Sequence, residues 1–287
     1  MIFSAAASGR QPLAHPFSHH RTRKRFGQHW LKDADVLRQI VAAADVQSSD
    51  TILEVGPGRG ALTAQLLSTA ASSVQAVELD RDLLQGLEER FGSDPRFALH
   101  AGDVLQLALP AATKVVANIP YNITGPLLER LIGRLDRPAA DPYQRLVLLV
   151  QREVGERIRA RPGSSSYSAL SVRMQLLASA ERVCAVPPRC FEPPPRVDSE
   201  VICVDPLPLE QRLAQPLAQR VEQLLKLAFA SRRKMLRNSL ASLLPETQLV
   251  PLSAAAGIDL AQRPQEIPPA AWVELAAGLN RITAEQL

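Results

Sequence analysis

Short apolar runs alternate with amphipathic segments through the middle of the chain. Five runs predict strands, at 51–55, 74–79, 97–101, 114–117 and 146–150. Helices are predicted between them at 61–70 and 80–91, and a third follows the fourth strand, with Thr124 as its expected N-cap. This alternation is typical of an α/β fold with a parallel, doubly wound sheet, in which ligands bind at the carboxyl ends of the strands.

The pattern changes after the fifth strand. Two more strands, predicted at 181–186 and 201–204, flank a loop rich in proline, which fixes the backbone angle φ and stiffens the chain. From about residue 210 the apolar positions follow helical spacing alone. We therefore predict one α/β domain over residues 23–205 and a small all-helical domain over residues 206–287.

The first 32 residues contain six Lys or Arg and no Asp or Glu. The apolar start has no preceding basic residue, which argues against a signal peptide. Residues 1–22 are interpreted as a basic, disordered tail, with an organelle transit peptide and an extended start site as the alternatives. The run Arg21–Arg25 is suited to phosphate contact.

Composition excludes several classes of protein. Of the 287 residues 46% are apolar and 22% are charged, which favours a globular chain over a disordered one. No apolar run is long enough to predict a transmembrane helix, so no membrane association is expected. The three cysteines, Cys184, Cys190 and Cys203, form no C-x-x-C pair, so neither a disulfide framework nor a metal site is expected and a reducing, cytoplasmic location fits.

A glycine-rich turn, Gly56-Pro57-Gly58-Arg59-Gly60, follows the first predicted strand. Glycines let the backbone approach a ligand closely, and the helix that follows offers free N–H groups. The spacing G-x-G-x-G differs from the dinucleotide fingerprint G-x-G-x-x-G. Alone, the turn is also compatible with a simple connection between a strand and a helix.

Single acids end the next two predicted strands. Glu78 is placed to accept hydrogen bonds from ribose hydroxyls, and Asp103 to accept one from an adenine amino group. The alternatives are a helix N-terminal charge for Glu78 and a local turn for Asp103.

The sequence Asn118-Ile119-Pro120-Tyr121 ends the fourth predicted strand. An exocyclic amine of a nucleobase is a poor nucleophile because its lone pair is delocalised into the ring. Two carbonyl oxygens, from the Asn118 side chain and the Ile119 backbone, would draw the amine toward sp³ geometry and localise that pair. Pro120 would stiffen the turn, and Tyr121 would offer a face on which a base stacks. An ordinary Asn-Pro turn is the alternative.

In this order, the four motifs resemble those of S-adenosylmethionine-dependent methyltransferases that act on an exocyclic amine. Residues 24–31, 190–199 and 231–240 look like the KsgA family, the small-subunit ribosomal RNA adenine-N6,N6-dimethyltransferases, and the resemblance covers about residues 23–285. It implies a Rossmann-like class I fold with a mostly parallel seven-stranded sheet. It also implies transfer of two methyl groups to each of two adjacent adenines in the 3′-terminal hairpin loop of 16S rRNA, by a monomer acting on the immature 30S subunit.

The resemblance also assigns residues. It implies that S-adenosyl-L-methionine is bound by seven residues: His29, Leu31, Gly56, Gly58, Glu78, Asp103 and Asn118. Phe191 would be a second stacking surface for the target base, with a hydrophobic plug as the alternative, and Trp30 departs from the family's usual Phe.

RNA contact is predicted for two groups of basic residues. They are Arg23, Lys24 and Arg25 near the start, and Arg232, Arg233, Lys234 and Arg237 on a predicted helix. Four further arginines, Arg152, Arg157, Arg159 and Arg161, add positive charge around the expected active face. These residues predict a phosphate-dominated footprint that weakens with salt, although a solvated basic helix is the alternative.

Three other functions are considered. A large-subunit rRNA adenine methyltransferase of the antibiotic-resistance type shares the donor motifs, but the stretch 231–240 and Val197-Asp198-Ser199 favour the small-subunit family. A DNA adenine methyltransferase would need a sequence-reading domain that is not evident. A mainly non-catalytic ribosome-assembly or organellar transcription factor is disfavoured by intact Glu78 and Asn118.

Overall fold

The computed structural model describes residues 28–285. Its strands are β1 (Trp30–Leu31), β2 (Thr51–Val55), β3 (Ser73–Glu78), β4 (Phe97–Ala101), β5 (Lys114–Asn118), β6 (Arg145–Gln151), β7 (Ala178–Val186), β8 (Phe191–Glu192) and β9 (Ser199–Pro206). Its helices are α1 (Ala34–Ala44), α2 (Ala61–Leu67), α3 (Arg81–Phe91), α4 (Thr124–Ile132), α5 (Arg152–Arg159), α6 (Ala169–Leu177), α7 (Gln215–Phe229), α8 (Leu236–Leu240), α9 (Glu246–Ala255) and α10 (Pro269–Glu285).

Seven strands form one sheet in the order β4-β3-β2-β5-β6-β9-β7. Strand β9 is antiparallel to both of its neighbours, and the other pairings are parallel. The order reverses at β2, because the chain runs outward to β4 and then returns to β5 on the other side. The predicted α/β fold with a mostly parallel seven-stranded sheet is confirmed. The crevice of such a sheet opens where the order reverses, beside the carboxyl ends of β2 and β5.

The central strands are buried on both faces, which explains their unbroken apolar sequences. The five residues from Leu146 to Val150 in β6 have no exposed surface. Helix α1 begins at an Asp33 side chain that accepts hydrogen bonds from the backbone N–H groups of Asp35 and Val36, at 3.0 and 3.1 Å. Asp80 caps α3 in the same way. Thus a short polar side chain sets where α1 and α3 begin beside the sheet.

A two-stranded antiparallel ribbon lies apart from the main sheet. It pairs β1 with β8, so that Trp30 lies opposite Glu192 and Leu31 opposite Phe191. The Lys32 N–H extends the ribbon by donating to the Cys190 carbonyl at 2.9 Å. The segment that precedes α1 is therefore held against the proline-rich loop.

The helices after β9 share the apolar core of the sheet layer, and α7 and α10 contact α6. One hydrophobic cluster runs from strand residues such as Leu53 and Val115 to Trp272 of α10, which is fully buried. The Tyr167 hydroxyl, before α6, donates to the Ile267 carbonyl at 2.9 Å. Strands end at Pro206, yet the apolar core is continuous across that point. No helix within residues 28–285 has the length and apolar character needed to cross a bilayer.

Several local predictions are wrong. Thr124 is the first residue of α4, and its hydroxyl donates to the Tyr121 carbonyl at 3.3 Å instead of capping the helix. Arg232, Arg233 and Lys234 lie in a turn between α7 and α8, and only Arg237 of the basic group is helical. Helix α7 ends at Phe229, and the Lys234 N–H closes the turn by donating to the Ser231 carbonyl at 2.8 Å. Residues Arg23, Lys24 and Arg25 lie outside the described part of the chain.

Candidate active site

A cavity of about 300 Å³ lies at the carboxyl ends of the central strands. It joins the glycine turn to the Asn118–Tyr121 corner and is closed on one side by the segment before β1. Of the residues predicted to bind the donor, those that line it are His29, Gly56, Gly58, Glu78, Asp103 and Asn118. Motifs that are far apart in the sequence therefore converge on one crevice.

The glycine turn is shaped by close contacts. The Gly56 N–H donates to the Val77 carbonyl at 2.9 Å, which ties the turn to the end of β3. Gly58 has a φ of +59°, and a Cβ atom there would lie 2.9 Å from the Trp30 ring. Gly60 has a φ of +76°, and a Cβ there would collide with Phe91 at 2.4 Å. Both positions therefore need glycine for conformation and for space.

Glu78 links the glycine turn to the start of α3 through two hydrogen bonds. One carboxylate oxygen accepts from the Gly58 N–H at 3.0 Å, and the other from the Asp80 N–H at 2.8 Å. Burial raises the pKa of this carboxyl, while the two backbone hydrogen bonds oppose that shift. Each oxygen keeps a second lone pair, so Glu78 can still accept hydrogen bonds from a ligand in the cavity.

Asp103 has a local role and also faces the cavity. Its carboxylate accepts from the Leu105 N–H at 2.9 Å and from the Gln106 side-chain amide at 3.0 Å. A local turn of this kind was the alternative role considered for Asp103 from the sequence. It holds the carboxylate at the cavity wall. The turn thus orients Asp103 and leaves it acceptor capacity toward a ligand.

Asn118 ends β5 with its side chain oriented by the N-terminal segment. Its amide nitrogen donates to the His29 backbone carbonyl at 3.0 Å. That bond sets the orientation of the amide, with its nitrogen toward the His29 carbonyl and its oxygen directed away from it. Ile119 and Pro120, which also line the cavity, lead from Asn118 into a single 3₁₀ turn over Tyr121–Ile123.

Tyr121 is half-buried at the mouth of this corner. Its hydroxyl forms a 2.6 Å hydrogen bond with the Ser199 hydroxyl at the start of β9. The His29 ring stacks near it, with ring centroids 5.7 Å apart and planes 25° apart. Burial raises the pKa of Tyr121, so the phenol stays neutral at physiological pH. The ring is therefore fixed by contacts at both its edge and its face.

Two predicted residues do not reach the cavity. Phe191 is 1% exposed and packs in the core with Leu31, opposite it in the ribbon. Its ring is not available to stack on a base, so the predicted role is corrected to the hydrophobic plug that was its alternative. The Leu31 side chain is likewise in the core and borders only a neighbouring cavity. Both corrections follow from the ribbon, which turns these side chains inward.

Trp30 is a site residue that the sequence analysis undervalued. Its side chain lies against Gly58, and the Arg59 guanidinium sits 3.8 Å from its ring centroid, in cation–π geometry. It borders the main cavity and also the neighbouring one. The signal was available, since this is one of only two tryptophans in the chain and it directly follows His29.

The neighbouring cavity has a volume of about 320 Å³. It shares Trp30, Gly56 and Asn118 with the main cavity and is bordered by Glu54 of β2. Burial raises the pKa of Glu54 to about 8, and the nearby Glu78 adds to that shift. Glu54 was assigned no role from the sequence, although it lies only two residues before the glycine turn.

The basic residues divide into paired and exposed groups. Arg152 pairs with Asp198 at 2.9 Å, Arg157 with Glu153, and Arg159 with the buried Glu200. These three arginines therefore add less net charge to the active face than the sequence suggested. The exposed basic side chains are Arg232, Arg233 and Lys234, in the turn between α7 and α8, and Arg237, in α8. Arg232 also donates to the Ser165 carbonyl, which holds the turn beside the loop before α6.

Comparison with known proteins gives consistent results. Residues 19–281 match the family described as ribosomal RNA adenine dimethylase. A protein of Parasynechococcus marenigrum (strain WH8102), named ribosomal RNA small subunit methyltransferase A, is 69% identical over 270 residues, which are 92% of this chain and 89% of that protein.

Two solved structures share the fold. A dimethyladenosine transferase from Plasmodium falciparum superposes with a TM-score of 0.74 at 26% identity, covering 88% of this chain and 98% of that one. The 23S rRNA methyltransferase ErmE superposes with a TM-score of 0.71, also at 26% identity, covering 88% of this chain and 99% of the other. The architecture is therefore common to a protein named as a dimethyladenosine transferase and to one named as a 23S rRNA methyltransferase.

Proposed function

The chain belongs to the ribosomal RNA adenine dimethylase family, and we propose that its cavity transfers methyl groups to N6 of two adjacent adenines in the 3′-terminal hairpin loop of small-subunit rRNA. It is an S-adenosylmethionine-dependent rRNA adenine methyltransferase. The products are N6,N6-dimethyladenosines, made during maturation of the 30S subunit.

The described residues fit S-adenosylmethionine. Two acids at successive strand ends, Glu78 and Asp103, have acceptor capacity for ribose hydroxyls and for an adenine amine. Between them Leu79, 49% exposed although apolar, and the buried Val104 give the cavity an apolar wall for a purine ring. The glycine turn allows backbone approach at the other end. We assign donor binding to His29, Gly56, Gly58, Glu78, Asp103 and Asn118.

The donor supplies a methyl group on a positively charged sulfur. What the protein contributes is the alignment and activation of the adenine amine. The Asn118 amide oxygen and the Ile119 carbonyl are assigned to the two amine hydrogens, which localises the nitrogen lone pair for attack. The amine loses a proton to water once it carries the methyl group, so no general base is required. Alignment of the two reactants supplies much of the rate.

Tyr121 is assigned as the platform for the target base. An adenine must leave its stack to reach a cavity of this kind, and an aromatic face offsets part of that cost. The hydroxyl bond to Ser199 and the stacked His29 ring hold the platform in place. With Phe191 buried, the stacking role falls on Tyr121 among the residues first considered.

One observation carries the proposal: a single cavity contacts both the glycine turn and the Asn118–Tyr121 corner. The test is methyl transfer to small subunits taken from a strain that lacks this protein, with dimethyladenosine located by mass spectrometry of the rRNA. Wild type should modify two adjacent adenines, and Asn118→Ala should modify none, while the other five assigned residues still bind the donor, more weakly than in wild type. Full activity of Asn118→Ala would contradict the assigned role.

The large-subunit alternative is tested in the same experiment. Because ErmE has the same fold, the fold does not determine which ribosomal RNA is methylated. The high identity to a protein named as a small-subunit methyltransferase favours the small subunit. Large-subunit RNA should therefore remain unmodified when supplied in parallel.

A mainly non-catalytic role is tested by scoring particle binding separately from transfer. The proposal also includes action as a monomer on the immature 30S particle in the cytoplasm. Sedimentation of the protein alone tests whether it is a monomer, and sedimentation with immature 30S particles tests whether it binds them.

A further inference from the structure

The contacts assigned to the target amine do not by themselves select adenine. Asn118 and Ile119 would supply oxygens to the two amine hydrogens, and Tyr121 would stack on the ring. Cytosine also has an exocyclic amine and a flat face. Adenine differs from it at N7, a hydrogen-bond acceptor beside the amine, where cytosine has a C–H group. A site that selects adenine therefore needs a hydrogen-bonding N–H group that faces N7.

The polar side chains at this corner of the cavity are mostly engaged. The Asn118 nitrogen donates to the His29 carbonyl, and His29 Nδ1 donates to the Pro193 carbonyl at 2.8 Å. In the neutral His29 ring, Nε2 is then an acceptor. The Tyr121 hydroxyl shares its hydrogen bond with Ser199. These groups hold the corner in place and leave the reading of N7 to another side chain.

Two further N–H groups lie toward the part of the cavity assigned to S-adenosylmethionine. The Gln28 side-chain amide donates to Asp80 at 2.8 Å, and the Asp80 N–H donates to Glu78. The Trp30 ring lies against Gly58 of the glycine turn. Both side chains therefore contact the residues around the methyl donor.

Asn122 is the remaining side-chain amide on the cavity wall. It directly follows Tyr121 in the 3₁₀ turn and is exposed. Its amide has no hydrogen-bond partner among residues 28–285. The Ile123 N–H donates to the Pro120 carbonyl at 3.1 Å, which closes the turn and holds residue 122 beside the stacking ring. An asparagine amide is a common partner of adenine, because its N–H donates to N7.

We propose that the Asn122 side-chain amide donates to N7 of the target adenine and thereby determines which base is accepted. The inference rests on the proposed function, since it presumes an adenine stacked on Tyr121 with its amine toward Asn118. An amine hydrogen is lost with each methyl transfer, whereas N7 stays an acceptor. The same contact therefore orients the base in both rounds of transfer.

The test changes single atoms of the substrate. Small subunits are reconstituted with rRNA that has adenosine, 7-deazaadenosine or 1-deazaadenosine at the target positions, and kcat/KM for methyl transfer is measured with wild type and Asn122→Ala. Each analogue replaces one ring nitrogen by C–H and keeps the amine. Its effect on the reactivity of the amine is the same for both proteins and cancels in their ratio.

The ratio of wild type to Asn122→Ala should depend on N7 alone. It should be about tenfold for adenosine and for 1-deazaadenosine, because the variant loses one hydrogen bond to the base. It should fall to about one for 7-deazaadenosine, which has no acceptor at that position. Asn122→Asp, which replaces the N–H group by a second acceptor, should lose at least as much as Asn122→Ala on adenosine.

Two controls accompany the measurement. Tyr121→Phe changes the neighbouring residue of the same turn, and its loss of about threefold should be equal on all three substrates. S-adenosylhomocysteine should bind Asn122→Ala as tightly as wild type, since Asn122 is not among the residues assigned to the methyl donor. That binding also shows that the variant is folded.

The outcomes separate this proposal from the proposed function. A ratio that is the same for adenosine and 7-deazaadenosine overturns the role of Asn122, and so does a variant that binds S-adenosylhomocysteine but methylates none of the substrates. A ratio that falls on 1-deazaadenosine instead assigns Asn122 to N1 and overturns the contact with N7. If wild type binds S-adenosylhomocysteine but methylates no substrate, the proposed function itself fails.

Discussion

The Asn118 side chain donates its amide N–H to the backbone carbonyl of His29, at 3.0 Å. A residue at the end of a central strand is thereby oriented by a segment that precedes the whole sheet. The bond fixes which end of the amide faces the cavity, and so which hydrogen-bonding group an incoming amine meets.

The first prediction concerns this bond. Asn118→Asp keeps an oxygen near the amine but replaces the N–H donor with a second acceptor facing the His29 carbonyl. The side chain should turn away, and methyl transfer should fall at least about a hundredfold, close to the loss in Asn118→Ala. Single-turnover transfer with saturating donor measures it. Retention of most activity in Asn118→Asp would mean that the bond to His29 does not orient the side chain.

The second prediction separates the Tyr121 ring from its hydroxyl. Tyr121→Ala should reduce transfer about a hundredfold through loss of the stacking face, whereas Tyr121→Phe should cost only about threefold. Ser199→Ala should match Tyr121→Phe, and the double variant should be no worse than either, because both remove one hydrogen bond. Additive losses in the kcat of the double variant would contradict a shared positioning role.

The third prediction follows from the burial of Phe191. Phe191→Ala should lower the free energy of unfolding by about 3–5 kcal/mol, since it opens a cavity in the core between β1 and β8. Phe191→Leu should lose less and keep most of the activity under conditions where it is folded. Urea unfolding gives the stability, and transfer assays give the activity. A large loss of activity in Phe191→Leu at normal stability would restore the stacking role.

The fourth prediction concerns RNA affinity. Reversing Arg232, Arg233 and Arg237 to Glu should weaken binding to small-subunit rRNA and lower the slope of log affinity against log salt by about one for each lost phosphate contact. Arg38→Glu, which reverses an exposed charge on α1, is the matched control and should leave the slope unchanged. An unaltered slope in the triple variant would place the RNA footprint elsewhere.

The fifth prediction is a pH effect on stability. Glu54 has a folded-state pKa of about 8 against an ordinary value of 4.5. The unfolded chain releases this proton first, so stability falls as pH rises from about 4.5 to 8. Glu54→Gln removes that penalty and should stabilise the donor-free protein by about 4 kcal/mol at pH 8, but by less than about 1 kcal/mol at pH 5. Denaturant unfolding at the two pH values checks it, and an equal difference at both would exclude titration of Glu54 as the cause.

Much of the fold was predictable because the central strands have apolar sequences that can be recognised without knowing their partners. The run Leu146–Val150 is apolar throughout since β6 is covered on both faces, and the acids Glu78 and Asp103 mark strand ends that face one crevice. Local sequence patterns sufficed for these elements.

The errors arose where distant contacts decide the structure. Phe191 is buried because β8 pairs with β1, and nothing in the proline-rich loop reveals that partner. Trp30 was treated as a local substitution, although its ring lies against Gly58. The cost of burying Glu54 likewise depends on neighbours from several elements. Such pairings cannot be inferred from periodicity, which reports only on neighbours along the chain.

The ribbon of β1 and β8 also imposes an order of events during synthesis. His29 and Trp30 leave the ribosome early, but the strand that holds them is made only after most of the central sheet. The nascent chain therefore cannot complete the wall of its catalytic crevice until residue 192 has emerged. A translation product that stops before that point would have the glycine turn and both acids. It would lack the β8 strand that holds the His29 carbonyl, which orients the Asn118 side chain.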